Sequence, residues 1–254
     1  MSSKRKKIVV LSLLLSTFPI LNTKVVLFNY PFLLFFIFSL LNIWAVLYIV
    51  EFQVQGWNWF LLPLYPLLLT FHLSVWRVDR TILQVLTAGA AFVFYYILFL
   101  SLNILNLSSF RPLPLKKAAN SVLMLYGLFL AFLSFSLAID PQFFLLSYTQ
   151  KLVYSFVVAG ILCLPIFWFI QEEYYRFPFK ESLVGALFTV ETLGLIGFSK
   201  GDRFVQTLFV SGSLFVLAGL ISKRLEKELT RKILRDNILI LAFLVFFYLY
   251  NSVR

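Results

Sequence analysis

About eight or nine apolar stretches, most of them near twenty residues long, follow one another down this chain with only short polar breaks between them. Coiled as a helix at about 1.5 Å per residue, a stretch of that length crosses a hydrocarbon core of about 30 Å. The stretches are 8–21, 30–50, 57–76, 81–107, 118–139, 151–171, 183–198, 204–222 and 238–250. The first and last are short, so the expected number of crossings is eight or nine. Composition agrees: 61% of residues are hydrophobic and 13% charged, against about 45–50% and about 25% in soluble domains. A β-barrel would need alternating strands of about ten residues, and the sequence has none. The predicted fold is all-α: a polytopic transmembrane helical bundle of about 8–9 membrane spans with short loops. The longest polar segment is about fourteen residues, too short for a folded unit, so one integral membrane domain is expected over 1–254.

The net charge is +11. In a soluble chain this would suggest nucleic acid. Here the basic residues sit at the ends of apolar stretches, where they set orientation and meet anionic headgroups. The expected partners are membrane lipids and other membrane subunits, with no nucleic acid. The start MSSKRKK places four cations before 8–21. No small-x-small cleavage site follows, so a first span is expected there rather than a signal peptide. With the N-terminus cytoplasmic, roughly two-thirds of the 22 Lys and Arg fall on the cytoplasmic side. The expected location is the cell membrane. Cys163 is the one cysteine and can form no internal disulfide.

Punctuation refines the reading. Pro63 and Pro66 lie inside the third stretch and predict a kink, because each removes a backbone donor. Trp57, Trp59 and Trp76 mark its ends as interfacial indoles do. Pro112 and Pro114 hold 108–117 as a loop, and Asp140-Pro141 breaks the fifth stretch. In 223–236, Leu225, Leu229 and Ile233 recur every four residues, and Glu228 and Lys232 sit at i,i+4. This predicts a basic amphipathic helix or an extension of the eighth span. Its Lys223, Arg224, Lys227, Arg231, Lys232 and Arg235 are candidate contacts for anionic lipid. Small residues gather in stretches four to eight, predicting a packed centre there with the Phe-rich early stretches toward lipid.

The sharpest chemical feature is Glu191, the one carboxylate in LVGALFTVETLGLIGF at 183–198. A carboxyl near mid-bilayer is costly and needs a reason. Its helical face holds Val184, Leu187, Phe188, Gly194, Leu195 and Phe198, and no Lys, Arg or His shares its expected depth. The candidate partners are the hydroxyls of Ser211, Ser213, Tyr95 and Tyr126, with Asn42 behind them. Glu191 is then either a coupling carboxyl in a transport path or a neutral acid joining two helices.

Catalytic constellations are missing. The run Glu172-Glu173-Tyr174-Tyr175-Arg176 departs from the intramembrane prenyl-endopeptidase pattern: two residues rather than three precede the arginine, and no histidine follows. Ser211-Gly212-Ser213 has no later histidine to activate a serine. His72, the single histidine, reads as an interfacial anchor, and no second ligand at metal spacing accompanies it. No catalytic residue, cofactor or metal is expected.

The segment 101–119, SLNILNLSSFRPLPLKKAA, with a span on each side, resembles uncharacterised multi-pass membrane families of small-genome bacteria. The resemblance implies a bacterial inner-membrane protein and no particular activity. The expected function is that of a non-enzymatic subunit or scaffold of the bilayer. The alternatives are a small-solute or proton-coupled transporter centred on Glu191, and a lipid-modifying membrane enzyme using the 172–182 loop.

Overall fold

The computed structural model describes residues 3–25, 31–75, 80–110, 113–140, 147–170, 176–196 and 202–252. It is all-helical, with no strand among the described residues. Among the described residues six helices are long and apolar enough to cross a membrane, where eight or nine spans are expected: Asn58–Val75, Thr81–Ser108, Lys116–Ile139, Tyr148–Ile170, Arg203–Leu225 and Arg231–Ser252. The remaining stretches are shorter or more charged. The first is split into α1 (Ser3–Ser16) and α2 (Phe18–Val25). The second is α3 (Pro31–Ile49), apolar over Leu33–Ile49. The seventh is α9 (Phe179–Ile196), which carries Lys180, Glu181 and Glu191. Trp76, Arg77, Phe198 and 171–175 lie outside the described residues.

The described chain divides into two compact units, Met1–Leu123 and Met124–Arg254. In the first, α1 packs on α6 (Thr81–Ser108) and α3 on α5 (Leu64–Val75). Pro19 explains the split between α1 and α2: it has no N–H to give to the preceding turn, and Ile20 and Leu21 both donate to the Thr17 carbonyl instead, at 3.1 and 3.0 Å. The predicted kink falls at Pro63, between α4 (Asn58–Leu61) and α5. The end of α3 turns through left-handed residues Glu51 and Phe52, at φ 58° and 56°. Phe52 N–H there reaches back to the Leu47 carbonyl at 2.8 Å, a Schellman-type closure without its usual glycine. Glu51 in turn meets Lys4 at 3.2 Å and Lys7 at 3.8 Å.

In the second unit, α8 (Tyr148–Ile170) and α9 make the most extensive helix pair, and α10 (Arg203–Leu225) packs on both. α11 (Arg231–Ser252) lies chiefly on α10, with Tyr248 stacked on Phe209 at 4.8 Å. α7 (Lys116–Ile139) crosses the boundary between the units. Asp202 caps α10, its carboxylate accepting from Phe204 N–H at 2.8 Å and Val205 N–H at 3.3 Å.

Two expectations are corrected here. The segment 223–236 is not one helix. α10 ends at Leu225, Lys227 is left-handed at φ 56°, and α11 starts at Arg231. Thr230 caps the new helix, its hydroxyl accepting from Ile233 N–H at 3.3 Å, and Lys223 draws Glu226 and Glu228 around itself at 2.6 and 2.9 Å. Glu228 is therefore off the helix that carries Lys232, and the last helix is nine residues longer than 238–250 suggests. The early stretches also divide where all were expected toward lipid: the Phe-rich α3 turns Leu33, Phe36, Ile37 and Leu40 outward, but the window Asn58–Val75 is 61% buried, as much as that of α8, while that of α6 is 39% buried.

Candidate functional site

The carboxyl that the sequence singles out stands on an outer face. α9 begins at Phe179, so Glu191 lies about 18 Å along it. Its side chain is exposed, and so are Val184, Leu187 and Leu195 on the same face, at 50%, 49% and 75%. The opposite face holds Ser182, Gly185, Ala186, Thr189 and Leu193, all buried. There Gly185 is the point of closest approach: a Cβ on it would stand 2.7 Å from Cys163 Sγ. Helix α9 thus packs through its small residues and turns its acid outward.

The expected hydroxyl partners do not converge on Glu191. Ser211 is buried and donates to the Thr207 carbonyl of its own helix at 2.7 Å. Ser213 is buried with its hydroxyl unpartnered. Ser211 lines a small apolar cavity with Gly127, Ala131, Cys163 and Ala218, and Glu191 is not among the residues around it. Tyr126 is buried. A hydroxyl that the sequence did not single out comes close on α9: Tyr148 donates to the Gly194 carbonyl at 3.3 Å, one turn beyond the acid.

Tyr95 belongs to a different arrangement, wholly within the first unit. Asn42 Nδ2 donates to the Phe38 carbonyl at 2.8 Å and to Thr70 Oγ1 at 2.7 Å. Thr70 Oγ1 donates to the Pro66 carbonyl at 3.0 Å and lies 2.7 Å from Tyr95 Oη. The threonine's one proton is taken by Pro66, so Tyr95 is the donor to Thr70. Three helices, α3, α5 and α6, are tied by this buried relay. Each of the three residues is buried to within 1% of completely. None of them ionises near neutral pH, so the relay is a clamp rather than a proton path. A second buried set joins Asn58 Nδ2 to Asn106 Oδ1 at 3.2 Å and to Ser109 Oγ at 3.0 Å, and Asn106 Nδ2 to the Gln53 carbonyl at 2.7 Å. His72 is buried rather than interfacial in exposure, with Nδ1 2.6 Å from the Leu68 carbonyl. The signal for these sites was present in the sequence as single amides and hydroxyls inside apolar stretches, each of which needs a partner in lipid.

The basic residues proposed to meet lipid divide between two helices and the turn joining them. Arg224, Lys227, Arg231, Lys232 and Arg235 are exposed, while Lys223 is held by its two glutamates. Among the described residues no group of three His, Cys, Asp or Glu comes together as a metal site.

These features define a class, a multi-pass helical protein of the membrane, and no more specific kinship. No protein-family model matches the chain, and no curated protein or solved structure matches it.

Proposed function

We propose that this protein is a non-enzymatic subunit or scaffold within the membrane, and that α9 presents Glu191 to a neighbouring subunit. The observation that carries this is the outer face of α9. Val184, Leu187 and Leu195 suit lipid, but an exposed carboxyl among them does not. A partner helix offering a cation or hydrogen-bond donors would satisfy it.

The same reading has nine crossings in the cytoplasmic membrane with the N-terminus inside. The ion pairs support the count by parity. Asp140, after α7, and Arg203, at the start of α10, lie 3.1 Å apart and so share one side of a bilayer. Two helices, α8 and α9, lie between them. If α8 crosses, α9 crosses back. Lys4 and Glu51 share a side in the same way, so if α3 crosses, α1 and α2 together cross as well. The N-terminal cations and the positive bias of the inner loops support the orientation.

The test is the size of the protein in native membranes. Extracted without disruption, the chain is expected to run as an assembly well above its own 29.5 kDa, and Glu191→Gln to shift it toward the monomer. A purified monomer that moved a small solute or protons across proteoliposomes, and lost that flux with Glu191→Gln, would overturn the subunit reading in favour of a transporter.

A further inference from the structure

We propose that a cleft between the N-terminal end of α9 and the C-terminal end of α10 binds the phosphate of an anionic lipid headgroup. The inference rests on the membrane reading above but on none of its claims about Glu191. The cleft has a volume of about 380 Å³ and is lined by Arg176, Lys180, Glu181 and Arg224, with Val184 and Ile221 among its apolar walls. That volume falls in the range of about 300–1,000 Å³ common to small-ligand sites.

Among the described residues three cations face one carboxylate here; Glu172 and Glu173 lie outside the described residues. Among the described residues, Arg176, Lys180 and Arg224 take part in no ion pair or side-chain hydrogen bond. The two acids of the turn after α10 are committed elsewhere: Glu226 and Glu228 both bind Lys223, which leaves the adjacent Arg224 without a counter-charge. Glu181 sits in the first turn of α9, where a carboxylate complements the helix dipole. One of its oxygens is buried with no hydrogen-bond donor, and among the described residues no ion pair joins it to the cations around it. An additional anion would balance the described residues of the cleft. Two guanidinium groups and an ammonium suit phosphate oxygens, which arginine grips through paired N–H groups. The apolar walls run from the cleft onto the lipid-side surface of α9, where Val184 is half exposed. A phosphodiester carrying acyl chains can place its phosphate among the cations and its chains along that wall. Free phosphate would use the cations alone.

The ordinary alternative is that these are unselective anchors of the positive-inside kind. Lys227, Arg231 and Lys232 are equally exposed, lie at the same end of α10 and α11, and stand outside the cleft, so they form the control. The full-length protein in detergent is first checked for alkali-resistant association with vesicles, which tests the membrane reading by itself. Native mass spectrometry then follows titration with phosphatidylglycerol and with phosphatidylcholine, each with and without excess inorganic phosphate. Neutralising the cleft together (Arg176→Gln, Lys180→Gln, Arg224→Gln) should weaken phosphatidylglycerol binding by about ten-fold or more, and neutralising the control set by less than about two-fold. Glu181→Gln should tighten binding several-fold, and it decides the matter even if the triple variant folds poorly. Equal losses in the two sets, or no tightening with Glu181→Gln, would overturn the site. Displacement of the lipid by inorganic phosphate would overturn the lipid as its ligand.

Discussion

The two units of this chain meet the same problem, holding helices together in oil, by different means. The first ties its helices through buried polar groups from different elements: Asn42, Thr70 and Tyr95 across α3, α5 and α6, and Asn58 with Asn106 and Ser109 at the other polar cluster. Asn22 adds a bond to the Ser74 carbonyl at 2.8 Å. In the second, the hydroxyls of Thr189, Thr192, Ser211 and Ser222 turn back onto carbonyls of their own helices. Tyr148 is one that does cross, from α8 to the Gly194 carbonyl of α9 at 3.3 Å. Close approach of α8 and α9 depends chiefly on the absence of a side chain at Gly185, and that of α10 and α11 on Gly212, where a Cβ would stand 3.0 Å from Leu244 Cδ1. Lipid gives no hydrophobic drive between helices. Shape and hydrogen bonding are what remain, and each unit leans on one of them. The difference implies opposite sensitivities: the first unit to loss of polar atoms, the second to added volume.

The largest effect should come from adding volume where the second unit has none to spare. Gly185→Leu would drive a side chain into Cys163 Sγ and Leu214 Cδ1, which already stand 2.7 and 3.6 Å from the position of a Cβ. Overpacking of this kind typically destabilises by about 1–3 kcal/mol or more. The expected result is a clear fall in the thermal midpoint in detergent, partly recovered by adding Cys163→Ala. Insertion of leucine without any loss would show that α8 and α9 are not closely packed.

Next is the relay of the first unit. Thr70→Val removes the atom that both Asn42 and Tyr95 use. Interhelical hydrogen bonds in membranes are worth about 0.6 kcal/mol on average and up to about 1.7. With two lost at once and two polar groups left stranded, a loss of about 1–2 kcal/mol is expected. The informative comparison is the triple change Asn42→Leu, Thr70→Val and Tyr95→Phe. It should be milder than Thr70→Val alone, because no polar group is then left buried without a partner. Additive losses across the three would argue against a shared network.

A smaller effect is expected at the N-terminal end of α10. Asp202→Ala removes the acceptor for Phe204 and Val205 N–H and should cost about 1 kcal/mol. Asp202→Ser should recover most of it in the same unfolding measurement, since a hydroxyl can serve as the cap.

The division of labour between the units was only partly legible in the sequence. The helices themselves were, because length and apolarity alone decide what can cross a bilayer, and Pro63 broke the third stretch where its missing N–H required. The end of the basic segment was not. Leu225, Leu229 and Ile233 keep a helical period, but a period does not register that Thr230 caps a new helix or that Lys223 gathers two glutamates into a turn. Glu191 was visible as the odd residue of its stretch, yet not its direction. A helix apolar on all sides has no polar face to betray which side packs, and only the small residues Gly185, Ala186 and Thr189 pointed away from it. Asn42, Thr70 and Tyr95 were each visible singly and could not be joined without tertiary structure. The basic cleft was hidden for the same reason, since Arg176 and Lys180 meet Arg224 only after two helices have folded back on each other.

The least effect, and the one that compares the units most evenly, belongs to their ion pairs. Lys4 and Lys7 meet Glu51 in the first, and Arg203 meets Asp140 in the second, all of them partly exposed. Lys7 also lies over the Tyr48 ring at 4.6 Å. Such exposed pairs are typically worth about 0.2–1 kcal/mol and weaken as salt screens them. Glu51→Gln and Asp140→Asn should therefore each lower stability by less than about 1 kcal/mol at low salt, with the gap from wild type closing in about 1 M salt, where the screening length is about 3 Å. Glu51 has a second role that Asp140 lacks: its backbone is left-handed, at φ 58°. Glu51→Gly should relieve that strain while losing the ion pair, so at high salt it should be more stable than Glu51→Gln by about 1 kcal/mol. Unfolding followed for the three variants at two salt concentrations separates charge from backbone, and equal behaviour of Glu51→Gly and Glu51→Gln at high salt would mean that the turn after α3 stores no strain.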